Sequence, residues 1–122
     1  MVETAIADYL VTKTTLQKSV DLFAGGLPGG TSEGVAIQPH STVIRFGELT
    51  MCLITCAVIY NNFSDASDMA KSIADAFSEK VGVTTGDFGS TDPVTTNYYG
   101  TDNLGRNLFA VTCEVCYNPG TF

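Results

Sequence analysis

The sequence contains no tryptophan, a single histidine, and only six basic residues against thirteen acidic ones. Its formal charge is −7 and the basic residues are scattered, so it lacks the basic patch that holds nucleic acid by the phosphates. The longest apolar run, residues 51–60, is about half the length that a helix needs to span a bilayer. A single histidine and scattered serine and threonine residues do not supply a catalytic set of nucleophile, base and orienting group. We therefore expect neither a membrane-spanning protein nor an enzyme.

The length and apolar content of the chain suit one globular domain. It has 122 residues, of which 44% are hydrophobic. At this size folding buries about two-thirds of the surface of the unfolded chain, so the core needs no disulfide or metal to hold it. We expect a single domain over residues 1–122. The N-terminus is acidic where a secretory signal is basic, so export by a cleaved signal is not expected.

Two stretches have the spacing of amphipathic helices. Apolar residues recur at three- and four-residue intervals near the N-terminus, which predicts a helix over residues 2–13. The same spacing predicts a second helix over residues 65–81. Ser64 or Asp65 is expected to cap its N-terminus, and Gly82 to end it.

Strand patterns occupy much of the remaining chain. Residues 51–60 are apolar on both alternating faces, which predicts a strand that is central in its sheet or covered on both sides. Further strands are predicted at residues 41–48 and 108–117, and a short one is expected to end at Leu22 and Phe23.

Two glycine-rich segments, at about residues 25–34 and 82–107, are predicted to be long loops. The first has the glycine spacing of a phosphate-binding loop. However, Thr31 stands at the lysine position of that motif, and a strand pattern follows where a helix should begin. A plain glycine loop is therefore the favoured interpretation.

Four cysteines lie within predicted strands, Cys52 and Cys56 in one, Cys113 and Cys116 in another. Their spacing allows a zinc site, but zinc ligands normally converge from turns, and Cys113 and Cys116 should face opposite sides of a sheet. Buried reduced thiols are the favoured interpretation. A cross-strand disulfide and a metal site are the alternatives, and the missing signal sequence favours a reducing compartment.

The order of the predicted elements and two short sequences resemble a known family. Residues 23–28 read Phe-Ala-Gly-Gly-Leu-Pro, and residues 102–106 read Asp-Asn-Leu-Gly-Arg ahead of the last strand. Together with a long apolar strand joined directly to the second helix, they resemble the tail-terminator and minor capsid proteins of tailed bacteriophages. The likeness covers nearly the whole chain. Members often carry a basic residue after the long strand, where this chain has Asn61 and Asn62.

The resemblance implies an α+β fold, with a mixed, mainly antiparallel sheet and both helices packed on one face. It implies a structural virion protein without a cofactor, six copies of which form a ring in the neck. This ring caps the tail tube, joins it to the head connector or neck protein, and lets DNA pass without sequence-specific binding. Such a protein is assembled in the host cytoplasm and resides in the virion. The alternative function is a small metal- or ligand-binding module that uses the four cysteines.

Size and charge agree with a ring around DNA. A globule of this length is about 35 Å across, and six in contact enclose a hole of about the same width, which admits a duplex. Six copies carry a charge of about −42, so DNA slides through without sticking.

Two sets of residues are expected at the contacts of such a ring. The assembly interface is assigned to Phe88, Tyr98, Tyr99, Asp102 and Arg106, and the acidic lumen to Glu33, Glu48, Asp87 and Asp92. The aromatic residues either order on assembly or fold back onto the core. Arg106 pairs with a carboxylate either across the interface or within the subunit, where Asp102 is the simplest partner.

Overall fold

The structure is a computed structural model that describes residues 2–29, 33–46, 49–80 and 88–118. These residues form two helices and one five-stranded sheet, which confirms the expected α+β fold. In chain order the elements are α1 (Val2–Lys13), β1 (Leu22–Ala24), β2 (Gly34–Phe46), β3 (Leu49–Tyr60), α2 (Phe63–Glu79), β4 (Phe88–Thr101) and β5 (Asn107–Tyr117).

The strands lie in the order β1-β2-β3-β5-β4. β1 pairs with β2 in parallel, and all other neighbours are antiparallel. The apolar strand at residues 51–60 forms most of β3, which lies between β2 and β5, so the prediction of a central strand is confirmed. Its side chains alternate between buried and half-buried, because both described helices pack on the same face of the sheet.

The two faces of the sheet differ in what packs on them. Both helices lie on one face, which we call the covered face. It contributes the even-numbered residues of β3 and the odd-numbered residues of β5 to the single apolar core. The opposite face, which we call the open face, carries the odd-numbered residues of β3 and the even-numbered residues of β5. Ala36 and Gln38 of β2 and Thr95 and Asn97 of β4 align with them.

The core forms between the helices and the covered face. Ile6 and Leu10 of α1 and Ile73 and Phe77 of α2 are fully buried against residues such as Ile54. Each such side chain contributes roughly 1.5–3 kcal/mol by leaving water. The regular spacing of these residues is what fixes the position of the helices over the sheet.

The second helix begins earlier than predicted. Its N-cap is Asn62, whose side-chain Oδ1 accepts a hydrogen bond from the backbone N–H of Asp65 at 3.2 Å. The expectation of Ser64 or Asp65 as N-cap was therefore wrong, because Asn62 is an equally good cap and already has the extended backbone that a cap requires. The helix ends at Glu79, and the predicted terminator Gly82 lies outside the described residues.

The second predicted loop is largely a strand. Residues 88–101 form β4, which pairs with β5 along the edge of the sheet, so the prediction of a loop over 82–107 is corrected there. Two register shifts, between Thr91 and Thr95 and between Tyr98 and Thr101, interrupt the alternation that identifies a strand in a sequence. Residues 82–87 lie outside the described part of the chain.

The strand predicted at residues 41–48 is the second half of a longer one. β2 runs from Gly34 to Phe46, with a register shift between Pro39 and Val43 where it pairs with β3. Residues 25–29 form no regular element, as predicted for the first loop, and Gly25 has a positive φ of 102° that favours glycine.

Candidate functional site: the hairpin end of the sheet

One end of the sheet gathers the turn between β4 and β5, the end of β3 and the start of α2, and we call it the hairpin end. The turn, residues 102–106, is closed by Asp102. Its Oδ1 accepts the backbone N–H groups of Leu104 (3.0 Å) and Arg106 (2.9 Å), and its Oδ2 accepts from the Arg106 guanidinium at 2.8 Å. These donors lower the pKa of Asp102, and the backbone N–H of Arg106 has the largest effect. Of the two pairings expected for Arg106, the structure shows the one within the subunit.

An aromatic cluster lies beside this turn. Tyr98 of β4 and Phe109 of β5 are cross-strand partners with ring centroids 4.8 Å apart. Phe63, the first residue of α2, packs edge-on against Tyr98 at 5.2 Å and lies 5.6 Å from Phe109. Phe109 is nearly buried, whereas Phe63 and Tyr98 are 52% and 46% exposed. The cluster therefore anchors in the core and presents two aromatic side chains to solvent.

A chain of hydrogen bonds holds the hairpin end together. The Tyr98 hydroxyl donates to Asn107 Oδ1 at 2.8 Å, and Asn107 Nδ2 donates to the backbone oxygen of Asn61 at 3.0 Å. The backbone N–H of Asn61 in turn donates to Glu33 Oε2 at 2.9 Å. β4, β5, the β3–α2 junction and the start of β2 are thus tied to one another. The exposed aromatic residues therefore stand on a braced support, which lowers the entropy lost when they bind.

Exposed apolar residues are concentrated here. In the described part of the chain, Phe63, Tyr98, Tyr99 and Leu104 are the large hydrophobic residues exposed at the hairpin end, and Tyr99 and Leu104 are 66% and 74% exposed. Val11 and Val20 are the exposed ones elsewhere. Isolated apolar side chains on a surface are ordinary, but a cluster of large ones marks an interaction site.

The residues predicted for an assembly interface separate into two groups. Tyr98, Tyr99, Asp102 and Arg106 come together at the hairpin end. Phe88 does not join them, because it begins β4 at the opposite end, is fully buried, and packs edge-on against Tyr9 at 5.8 Å. Phe88 is therefore a core residue, as the alternative of folding back foresaw.

Of the acidic residues predicted for a lumen, Glu33 is the one whose side chain can be described. It is half-buried and engaged by Asn61. Asp92 lies within β4, and Glu48 and Asp87 fall outside the described residues. Burial, followed by the charges of Asp21, Glu33 and Asp65, raises the pKa of Tyr60 to about 12. Tyr60, the last residue of β3 at the hairpin end, therefore lies in an electronegative environment.

Sequence reasoning missed several residues of this site, namely Phe63, Leu104, Asn61 and Asn107. The signal for Phe63 was the break at Asn61 and Asn62, which placed a bulky apolar residue at the start of a helix. Nothing in the sequence links Asn107 to Asn61, which lies 46 positions away.

The cysteines are free thiols, as expected. Cys52, Cys56 and Cys113 are buried on the covered face, whereas Cys116 is half-buried on the open face. Burial raises the pKa of Cys56, and it raises the pKa of Cys113 to about 12. Within the described ranges, no group of three or more His, Cys, Asp or Glu side chains is arranged to hold a metal ion.

None of the described helices is long and apolar enough to cross a membrane. No protein-family model matches the sequence, and no curated protein is similar to it.

Proposed function

We propose that this protein is a structural component of a tailed bacteriophage, a ring-forming tail terminator that caps the tail tube and joins it to the head connector or neck protein. The observation that carries this proposal is the hairpin end, where exposed aromatic residues are clustered on a hydrogen-bonded support. Large, rigid, exposed aromatic groups supply most of the binding energy in protein interfaces. A protein that acts through protein contacts alone needs such a surface.

The order of elements adds support. The chain has an N-terminal helix, a long central strand joined to the second helix through Asn61 and Asn62, and a hairpin whose turn carries the Asp-Asn-Leu-Gly-Arg sequence. This is the order on which the resemblance to tail terminators rests. In that role six copies close into a ring within the neck of the virion, after assembly in the host cytoplasm.

The charge of the chain fits the passage of DNA. Each copy carries −7, and an acidic ring repels phosphates, so the duplex crosses the lumen without being held. The partners of the ring are its own copies, the tail-tube protein and the connector.

Light scattering and electron microscopy of the purified full chain test the proposal. We expect particles of about six times 12.9 kDa with six-fold symmetry, formed alone or with the tail-tube protein of the same phage. Tubes assembled in the presence of the protein should stop growing at the length at which it binds. A chain that stays monomeric in both conditions and leaves tube length unchanged overturns the proposal.

A matched pair of variants assigns the contact. Leu104→Asp places a charge on the exposed turn and is expected to weaken assembly at least tenfold, because a charge in an apolar contact must be desolvated. Val11→Asp is the control and should assemble normally, because Val11 is an exposed residue of α1 close to Tyr9, which packs on Phe88 at the opposite end of the sheet. Both subunits should melt at nearly the temperature of the unmodified chain.

A further inference from the structure

A closed ring of identical subunits needs two different contact surfaces on each copy, because every interface joins the front of one subunit to the back of the next. If the hairpin end is one of these surfaces, its counterpart must lie elsewhere on the same chain. The counterpart should be exposed, largely apolar and poor in charge, since charged residues are depleted from the centre of interfaces.

The outer surfaces of the two helices do not meet this description. α1 exposes Asp8 and Lys13, which pair with Lys18 and Glu79 respectively. α2 exposes a succession of charged residues, Asp65, Asp68, Lys71, Asp75 and Glu79. Such mixed charge is typical of a solvated helix surface.

The open face of the sheet comes nearer to it, because its described residues in β3 and β5 are half-buried and mostly apolar. Glu114 is the one charged residue among its described positions in β3 and β5. A row of small residues crosses three neighbouring strands at its centre: Ala57 and Ala110 are half-buried, and Ala36 at its end is only 1% exposed. On one side of this row stand Ile59 and Leu108, on the other Thr55 and Thr112, so the side chains of the row are shorter than those beside it.

The size of the open face is also adequate. β3 and β5 align over eleven residue pairs, and four strands of that length cover roughly 700 Å². A standard protein interface buries about 800 Å² on each partner. The face is therefore close in size to one side of a standard interface.

We infer that the open face of the sheet is the docking surface for the hairpin end of a second copy, with Leu104 and Tyr99 seated over Ala57 and Ala110. This inference rests on the proposed ring, and names the two surfaces that would build it. The charges permit the contact, because the Asp102–Arg106 pair neutralises the turn and the open face carries little charge. On a chain of −7, the turn of the hairpin and the open face therefore meet with little repulsion.

Disulfide cross-linking in the assembled full chain tests the inference. A double variant, Leu104→Cys with Ala110→Cys, is made in a Cys116→Ser background so that the accessible native thiol of the open face is removed. Oxidation by copper phenanthroline is expected to give a ladder of covalent multimers up to the ring size on a non-reducing gel. Leu104→Cys with Ser72→Cys, which places the second thiol on the exposed surface of α2, is the control and should give no ladder.

Alkylation of the single variant Ala110→Cys, also in the Cys116→Ser background, gives an independent readout. The thiol at position 110 should react at least tenfold more slowly in the ring than in dilute subunits, while that of Ser72→Cys reacts equally in both. Rings that form without a ladder and without protection of position 110 overturn this inference and leave the proposed function standing. Failure of the unmodified chain to assemble at all overturns both. Circular dichroism of each variant identifies any loss of fold.

Discussion

Asp102 binds Arg106 through both the backbone and the guanidinium of the arginine, at 2.9 Å and 2.8 Å, and so closes the turn between β4 and β5. The same carboxylate accepts the N–H of Leu104, the most exposed large apolar residue of the described chain. One acidic side chain thereby fixes the backbone that presents Leu104. Arg106, the basic residue predicted for the assembly interface, therefore pairs within its own subunit and stabilises the turn.

This arrangement predicts a pH dependence. Because the folded-state pKa of Asp102 is lowered, its contribution to stability is present above the unfolded value of about 3.9 and is lost as the pH falls through the folded value. Asp102→Asn is expected to lower the melting temperature at pH 7 and to have little effect in strongly acid solution. Asp68→Asn, on the exposed surface of α2, is the control. Equal losses for Asp102→Asn at both pH values would contradict the assignment.

The Tyr98 hydroxyl is expected to stabilise the hairpin end. Tyr98→Phe removes the hydroxyl that donates a hydrogen bond to Asn107. Because Asn107 is only 8% exposed, we expect a loss of about 1 kcal/mol in the free energy of unfolding. Tyr99→Phe, with a largely exposed ring, should change stability little. Urea denaturation of both variants measures the difference, and similar losses in the two would remove the special role of Tyr98.

Gly34 is required at the start of β2. A Cβ atom there would lie 2.9 Å from the carbonyl oxygen of Asp21, and the backbone φ of +152° is unfavourable for other residues. Gly34→Ala is therefore expected to cost roughly 1–3 kcal/mol of stability. Gly26→Ala, where nothing lies within 4 Å of the new atom, is the matched control. Thermal melts compare them, and a Gly34→Ala variant as stable as the control would contradict the prediction.

Glu3 is expected to reduce the stability of the isolated subunit. Glu3 is 9% exposed, and its Oε2 has no hydrogen-bond donor among the described residues. A buried acceptor without a partner costs about 1–3 kcal/mol, part of which the favourable position at the start of α1 offsets. Glu3→Met should raise the free energy of unfolding by about 1 kcal/mol, whereas Thr4→Met at an exposed neighbour should not. A lower stability for Glu3→Met would be the contrary result.

The four thiols should differ in reactivity. Burial raises the pKa of each of them, and Cys52, Cys56 and Cys113 are also enclosed by the core. Titration of the folded protein with a thiol reagent is expected to modify Cys116 first, and all four only after unfolding. Cys116→Ser should abolish the early reaction. Rapid reaction of the Cys116→Ser protein would show that the core thiols are accessible.

Local patterns in the sequence determined much of this fold. The spacing of apolar residues in α1 predicted its limits, and the continuous apolar run of β3 predicted a central strand, because these signals depend on which neighbours along the chain share a face. The burial of Cys56 and Cys113 followed from their place in such strands. The Asp102–Arg106 pair was also within reach of the sequence, since the two residues are four apart in one turn.

Tertiary structure decided the rest. β4 is an edge strand with two register shifts and exposed threonines, so it becomes a strand through pairing with β5 and not through a pattern of its own. The hairpin end joins Phe63 to Tyr98 and Asn61 to Asn107, pairs that are far apart in the chain. The open face exists because both helices pack on the other side of the sheet. Periodicity shows that a strand has two faces, but which face the helices cover is set by the packing of the whole domain.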